Sequence, residues 1–592
     1  MNTTFASSAR GYGSVSEIRR RPGFEGIASL DPGSVGQRIG RILRHARNVS
    51  LFSPELAGHI DDEPSRYHLS DARSNILRPF EQRLPGADVL EIGAGCGAIT
   101  RYLGESGAQV VALEASPAQA SAARARTRDL PNVEIVTGAL AEFRPRGKFD
   151  FITLIGVLDE ASLPPGEEPA LALLERAREM LKPEGQIIIA FENGPLAQGR
   201  DELLPVMERA GFASPQVLAP YPDYRFPVSI VTEEGFACED FDSGALVTAG
   251  ARQRSRLSPD LPFAQEPSAI VQDGPAPEPP GSLLIVAKQS RAESENSGIL
   301  GYRYTTNRTR EYCKGATYVK TAGDAIQVLT SVLETHWETR EPGIYRRFYL
   351  TDKSEYVRGT PLSEELTSLL RRDGWGIEKV GAFIRRYLDA VASLTKKTGK
   401  DLAAYHIASP LPGRYVDLIP RNIIRGIDGR LHAVDQEWDF AGDISLGFLV
   451  FRALVQALES RPAFGRTACA AANTGIGFVM AAFRAAGFDI TEEILVSYAT
   501  QENAARAQGA RRASGVKGMV PRDLPAASAA VRGACRGMKA RYRIAREALA
   551  SKSAALKTGK KETPQFEGAT DGKFVRLLRR FKPGHGPVVR VS

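Results

Sequence analysis

Val89-Leu-Glu-Ile-Gly-Ala-Gly-Cys-Gly97 decides how the first half of the chain folds. It opens as an apolar strand and passes through three spaced glycines. It then runs into Ala98-Ile-Thr-Arg-Tyr-Leu103, whose apolar residues fall at helical spacing. Glycine is needed in such a turn because the backbone is sharply bent and a ligand packs on the main chain, where a Cβ would clash. The helix start behind the turn offers unpaired amides to polar ligand groups. A dinucleotide loop uses the same device, so the neighbouring residues must discriminate. Glu91 stands two residues before Gly93, which suits a cationic ligand better than a pyrophosphate. Glu114 closes the next apolar stretch, Val110–Glu114, 21 residues after Gly93, where a carboxylate can accept both hydroxyls of a ribose.

Working outward, Asp88–Ile92, Gln109–Glu114, Val133–Thr137, Phe149–Leu154 and Gln186–Phe191 read as short buried strands. Helical stretches alternate with them: Pro117–Thr127, with Ser116 as its cap, and Pro169–Leu181. Alternation of this kind predicts an α/β, Rossmann-like parallel sheet covered on both faces. Ser282–Ala287, after the Pro-rich Pro275–Pro280, reads as one more strand, which puts a domain edge in Gln289–Ser297. The predicted organisation is an N-terminal extension over 1–65, carrying a helix near Gly36–Val49 after a disordered Met1–Pro32. An α/β domain follows over 66–288, then an α+β domain over 298–510 and a basic helical or disordered tail over 511–592.

The ordered set from Glu91 through Glu114, the strand Phe149–Ile155 and the helix end and turn Leu181–Ile187 resembles the class I S-adenosylmethionine-dependent methyltransferases. The resemblance implies S-adenosylmethionine as cofactor, with Glu91, Gly93, Ala94, Gly95 and Gly97 forming its loop and Glu114 on its ribose. It places the adenine edge at Gly138-Ala139-Leu140, although Ala139 stands where many relatives carry Asp. It folds Arg66–Arg73 over the cofactor, so that Tyr67 and Arg73 are either lid contacts or ordinary packing and capping residues. Asp159 and Glu160 follow the fourth strand near the acceptor's entrance. There Asp159 is the candidate base for a hydroxyl acceptor, the other reading being a solvated helix start. An acceptor that is already an anion needs no base, only proximity.

Tyr415-Val-Asp417-Leu-Ile-Pro-Arg-Asn422, then Asp435 thirteen residues on, forms a second constellation. Phosphoryl transfer needs a carboxylate to orient the attacking hydroxyl, plus an amide and a carboxylate to hold magnesium. The order resembles the kinase-like superfamily in its aminoglycoside-phosphotransferase branch, with Tyr415 where relatives have His. The resemblance implies Asp417 as catalytic base, Asn422 and Asp435 as metal ligands, and ATP with Mg as cofactors. Lys320, in Thr317–Thr321, is then the phosphate-binding lysine, with Glu334 or Glu338 as its partner. Glu355–Leu362 resembles a hinge between lobes, while Gly301–Arg308 lacks the glycines of a phosphate loop. The pairing of the two units resembles bifunctional methyltransferase/kinase proteins that terminate bacterial O-antigen chains. The resemblance therefore implies a glycan or small-molecule acceptor and polysaccharide-synthesis partners. Two other readings stand beside it: a methyltransferase with an inactive kinase-like binding module, and a non-catalytic scaffold for a glycan polymerase.

The charge balance narrows the partners. The net charge of +8 sits in the tail, where Val531–Ser592 holds 16 Lys and Arg against four Asp and Glu. The remaining chain is slightly acidic, which argues against a nucleic-acid groove. Phe574, Leu577, Leu578 and Phe581 share one face of a cationic helix ending at Pro583, suited to peripheral contact with an anionic membrane surface or to docking on the body. Val531, Cys535, Met538, Tyr542, Ala545 and Leu549 make a short heptad-like seam. Five scattered cysteines give neither a disulfide framework nor a zinc site, and no apolar run reaches the ~20 residues of a membrane span. Together these predict a cytoplasmic protein.

Overall fold

The computed structural model describes residues 35–158, 167–193, 200–249, 281–289, 298–334, 347–395, 406–459 and 464–509, a few single positions excepted, and a two-residue strand at Arg19–Arg20. The expectations placed on most of Met1–Pro32, on Asp159, Glu160 and Glu338, on 275–280 and on the tail lie outside the described residues.

Five strands run parallel: β1 (Asp88–Ile92), β2 (Gln109–Glu114), β3 (Val133–Thr137), β4 (Phe149–Ile155) and β5 (Leu181–Glu192). Nearly every side chain on them is buried, as a sheet covered on both faces requires. Between them lie α1 (Ala98–Glu105), α2 (Pro117–Arg126) and α3 (Glu167–Met180). Ser116 caps α2 by accepting the Gln119 amide at 3.5 Å, and Pro117 follows at the first helical position. The spatial order β3-β2-β1-β4-β5 reverses direction at β1, so the crevice beyond the carboxyl ends of β1 and β4 is where a ligand fits.

Three antiparallel strands extend the sheet beyond β5. They are β6 (Ala213–Tyr221), β7 (Ser229–Thr232) and β8 (Ser282–Lys288), in the order β5-β8-β6-β7. Ser282–Lys288 arises where an apolar run predicts a strand; β6, which carries two prolines, and the four-residue β7 have no alternating pattern to announce them.

Residues of the N-terminal extension belong to this body. The helix Val35–His45 lies against α2, and glycine permits the approach: a Cβ on Gly36 would stand 3.2 Å from Gln119 Cγ. Ile39, Leu43, Leu56, Leu69, Cys96 and Ala122 then form a small core of their own.

The sheet does not stop at β7. Strand β9 (Ile299–Thr305) pairs antiparallel with it, followed by β10 (Lys314–Lys320), β11 (Ile326–Val332) and β12 (Lys353–Glu355); with Arg19–Arg20 paired parallel to β3 at the other edge, this sheet has thirteen strands among the described residues. Tyr304 and Cys313 are buried in the same core as Val89 and Leu284. On the far side Phe241 packs with Tyr318 and Tyr356, and Arg358 pairs with Asp240 at 2.5 Å. The part beyond β12 holds a small three-stranded antiparallel sheet, Gly359–Pro361, Ile423–Gly426 and Leu431–Ala433, and a helical mass of α4 (Leu362–Arg371), α5 (Ile377–Thr395), α6 (Leu446–Glu459), α7 (Gly475–Ala485) and α8 (Glu492–Gly509) around Val380, Phe383, Tyr387, Phe448 and Phe483. Among the described residues no helix is long and apolar enough to cross a membrane.

A cut at the sequence's domain edge therefore runs through one sheet. Residues 1–288 alone would leave β7 an unpaired edge and remove Tyr304 and Cys313 from the core. We expect that fragment to aggregate or melt well below the full chain in a thermal scan; equal melting would show the two halves to be independent.

Candidate active site

Gly93, Gly95 and Gly97 all lie in the left-handed region, with φ of 80°, 55° and 82°, which only glycine adopts freely. Gly97 also faces α2, where a Cβ would come 2.8 Å from Ala123 Cα. The loop is pinned from below by Glu114. One carboxylate oxygen accepts the Gly95 amide at 2.7 Å and the other accepts the Ser116 amide at 2.8 Å. A carboxylate offers about four lone-pair sites, so some acceptor capacity remains for a ligand hydroxyl. Burial raises the Glu114 pKa above the ordinary carboxyl value, with the Ser116, Gly95 and Ala115 amides opposing it.

Above the loop lie the helix Glu63–Leu69, capped by Asp62, and the turn Asp71–Ile76. They close a cleft with Tyr67, His68, Arg73, Glu91, Gly93 and Ile155 in its wall. Arg73 is 4% exposed, stacked 4.0 Å over the Tyr67 ring, and donates from Nη2 to Tyr67 Oη at 3.1 Å. Its Nε and Nη1 have no protein partner. Glu91 is 3% exposed and one oxygen is likewise unpartnered. A buried cation and a buried carboxyl with open valences are costly to the protein alone and fit a ligand that carries both charges.

Burial pushes the Glu91 carboxyl up to about 8, against Thr100 and Arg73, which lower it. It also brings the His68 imidazole down to about 4, assisted by Arg73, Arg126 and Arg38. His68 is thus neutral at pH 7. Arg126, fully buried under the loop, holds the His68 carbonyl at 2.5 Å. Between the unfolded carboxyl value of 4.5 and about 8, folded Glu91 keeps a proton that the unfolded chain has lost. Folding stability therefore falls as pH rises through that window. Glu91→Gln should flatten this decline in denaturant titrations from pH 5 to 8; an unchanged slope would place the titration elsewhere.

Ala139 and Leu140 stand at the carboxyl end of β3, half-buried, and neither is in the cleft wall. Asp159 lies outside the described residues. Sequence reasoning missed His68 and Arg126, since a histidine in a polar stretch and an arginine at a helix end carry no distinguishing pattern.

In the second unit the structure gathers Asp417, Asn422 and Asp435. Asn422 donates from Nδ2 to the Asp417 carbonyl at 3.0 Å, and Gln436 donates to the same oxygen at 2.9 Å. Asp417 is 4% exposed, with its carboxylate 3.5 Å from Arg452, which also pairs with Glu502 at 2.9 Å. Asp435 has φ of +52°, rare for a non-glycine, and is half exposed. The protein around it would raise its carboxyl even though the side chain is half exposed, but Lys314, Arg303 and Arg308 hold it below the ordinary value. Lys314 reaches Asp435 at 3.2 Å and also pairs with Glu437, which Arg308 meets at 2.7 Å.

Lys320 is not the lysine at this cluster. It ends β10 and pairs with Asp324 in the following turn at 3.0 Å. Lys314 begins the same strand, and at ~3.3 Å per residue the two stand roughly 20 Å apart. Period-two reading of Thr317–Thr321 cannot say which end of a strand meets the helical part. Among the described residues no three His, Cys, Asp or Glu side chains come together to hold a metal ion.

Residues 90–187 match the family model described as a methyltransferase domain. The ubiquinone biosynthesis O-methyltransferase of Xanthomonas campestris pv. campestris (strain B100) is 30% identical over 115 residues, covering 19% of this chain and 45% of the relative. The chain thus spans under half the length of the curated relatives it matches. Among solved structures, magnesium protoporphyrin IX methyltransferase from Synechocystis, with bound S-adenosylhomocysteine, is 19% identical over 26% of this chain and 77% of that one, with a TM-score of 0.23. The CcbJ methyltransferase from Streptomyces caelestis is 17% identical over 33% and 91%, with a TM-score of 0.24.

Proposed function

We propose, from the methyltransferase domain that the chain carries, that the cleft between the Gly93–Gly97 loop and the Glu63–Ile76 cover binds S-adenosylmethionine and that the protein methylates an acceptor there. The observation that carries this is the pair of open valences in one wall, on Arg73 and Glu91. The methionine end of that cofactor bears a carboxylate and an ammonium, which match a guanidinium and a carboxylate. Arg73 would hold the carboxylate, Glu91 the cationic side and Glu114 the ribose diol. The backbone amides at the start of α1 would take the remaining polar atoms, since those of Gly93, Ala94, Gly95 and Gly97 already donate within the protein.

When bound, S-adenosylmethionine supplies an electrophilic methyl group and leaves as a neutral thioether. This chain's residues orient and exclude water: Tyr67 and Arg73 cover the cleft, and Ile155 closes one side. A cation beside Glu91 lowers its pKa, so binding near pH 7 should release close to one proton. An anionic acceptor needs only to be placed beside the methyl group. A hydroxyl acceptor needs a base, the role expected of Asp159.

We extend the proposal to a saccharide acceptor in bacterial surface-polysaccharide synthesis, one the second unit phosphorylates with ATP and Mg before methylation. The order of Asp417, Asn422 and Asp435 and the left-handed φ at Asp435 support it. The burial of Asp417 against Arg452 favours the second reading, a kinase-like unit that binds the saccharide and transfers nothing. Contact of the basic tail with the inner membrane surface and with polysaccharide-synthesis proteins belongs to the same proposal.

The test is incubation of the full chain with methyl-labelled S-adenosylmethionine and matched phosphorylated and unphosphorylated glycans. Label in the phosphorylated glycan alone is the expected result, and label in neither would remove the acceptor assignment. ATP turnover unaffected by Asp435→Ala would remove phosphoryl transfer.

A further inference from the structure

Arg73 does not hold its place in the cleft by itself. It lies over the Tyr67 ring, and Tyr67 meets Phe226 edge-on, at 6.5 Å between centroids and 84° between planes. Arg66 covers the other side of Phe226 at 4.0 Å. The four side chains run cation, ring, ring, cation: Arg73, Tyr67 and Phe226 lead from the cleft wall to the Tyr221–Pro227 connection between β6 and β7, and Arg66 lies over Phe226. Phe226 is 4% exposed and is not in the cleft wall. It is fixed from its own side, because Asp223 accepts the Phe226 amide at 3.1 Å. A second tie joins the same two segments, where buried Asn75 donates to the Pro227 carbonyl at 2.8 Å.

We propose that Phe226 is a positioning residue for the donor site: it holds Tyr67, and through Tyr67 it aims the Arg73 guanidinium at the carboxylate of the bound cofactor. The inference rests on reading this cleft as the S-adenosylmethionine site. Its physical basis is directional. A guanidinium stacked on a ring keeps its N–H donors in the ring plane's direction, so a ring free to tilt spreads those donors over many orientations.

The test compares two ligands on the full chain by calorimetry. S-adenosylhomocysteine carries the amino-acid carboxylate, and 5′-methylthioadenosine lacks it. Phe226→Leu should weaken S-adenosylhomocysteine about tenfold and leave 5′-methylthioadenosine unchanged. In an Arg73→Met background the same substitution should add nothing. Unchanged S-adenosylhomocysteine binding would overturn the proposal. Equal loss for both ligands would also overturn it, since a collapsed loop, not an aimed guanidinium, would then be the cause. Failure of the unaltered protein to bind S-adenosylhomocysteine would remove the reading of the cleft itself and this inference with it.

Discussion

Arg73→Met is expected to weaken S-adenosylmethionine binding about a hundredfold while leaving the protein as stable as before, or more so. The two effects have one origin. Arg73 is buried with two donors unpartnered, so the ligand-free fold carries the desolvation of that charge without full compensation. A methionine of similar length fills the space and removes the cost. The ligand's carboxylate, in contrast, loses its counter-charge, and a desolvated charge pair of this kind contributes on the order of 2–5 kcal/mol. A loss of about 3 kcal/mol is close to a hundredfold in affinity. Thermal scans and binding measured on the same sample check both halves. A fall in melting temperature with unchanged affinity would make Arg73 a structural residue and leave the cleft without its anion partner.

The second large effect is on folding. Gly97→Ala places a Cβ on a residue with φ of +82° and drives it to 2.8 Å from Ala123 Cα, which is backbone and cannot rotate away. The left-handed conformation costs a non-glycine residue roughly 1–2 kcal/mol, and overpacking a helix contact adds about 1–3 kcal/mol. Gly86→Ala is the control. Its φ is +75°, yet nothing lies within 4 Å of its Cβ, so it meets the first cost alone. Denaturant midpoints should order wild type, Gly86→Ala and Gly97→Ala in decreasing stability. Equal losses at the two glycines would mean that α1 and α2 separate without penalty.

The parallel sheet was legible because its strands are apolar runs bounded by glycine and proline, a signal that needs no partner to be recognised. Glu114 and the three glycines were legible for a related reason, since they lie within 25 residues of one another on one strand–turn–helix–strand path. What was hidden depends on distant contacts. Residues 35–65 read as an extension because Ile39 and Leu43 show their packing only against Ala122 of α2. The continuity of the sheet from β7 into β9 is a pairing between strands separated by the Pro-rich segment, and no local pattern records it. Lys314 was passed over for Lys320 because both sit on one strand and only the position of Asp435 distinguishes its ends. Tyr67 and Arg73, left open between covering and packing roles, are brought together in the cleft wall by the Asp71–Ile76 turn.

The measurement that bears most directly on the account is equilibrium dialysis of the full chain against labelled S-adenosylmethionine at pH 7. The account predicts one saturable site per chain, displaced by S-adenosylhomocysteine. No retention of label at millimolar ligand would contradict it, because the open valences of Arg73 and Glu91 would then have no ligand to meet.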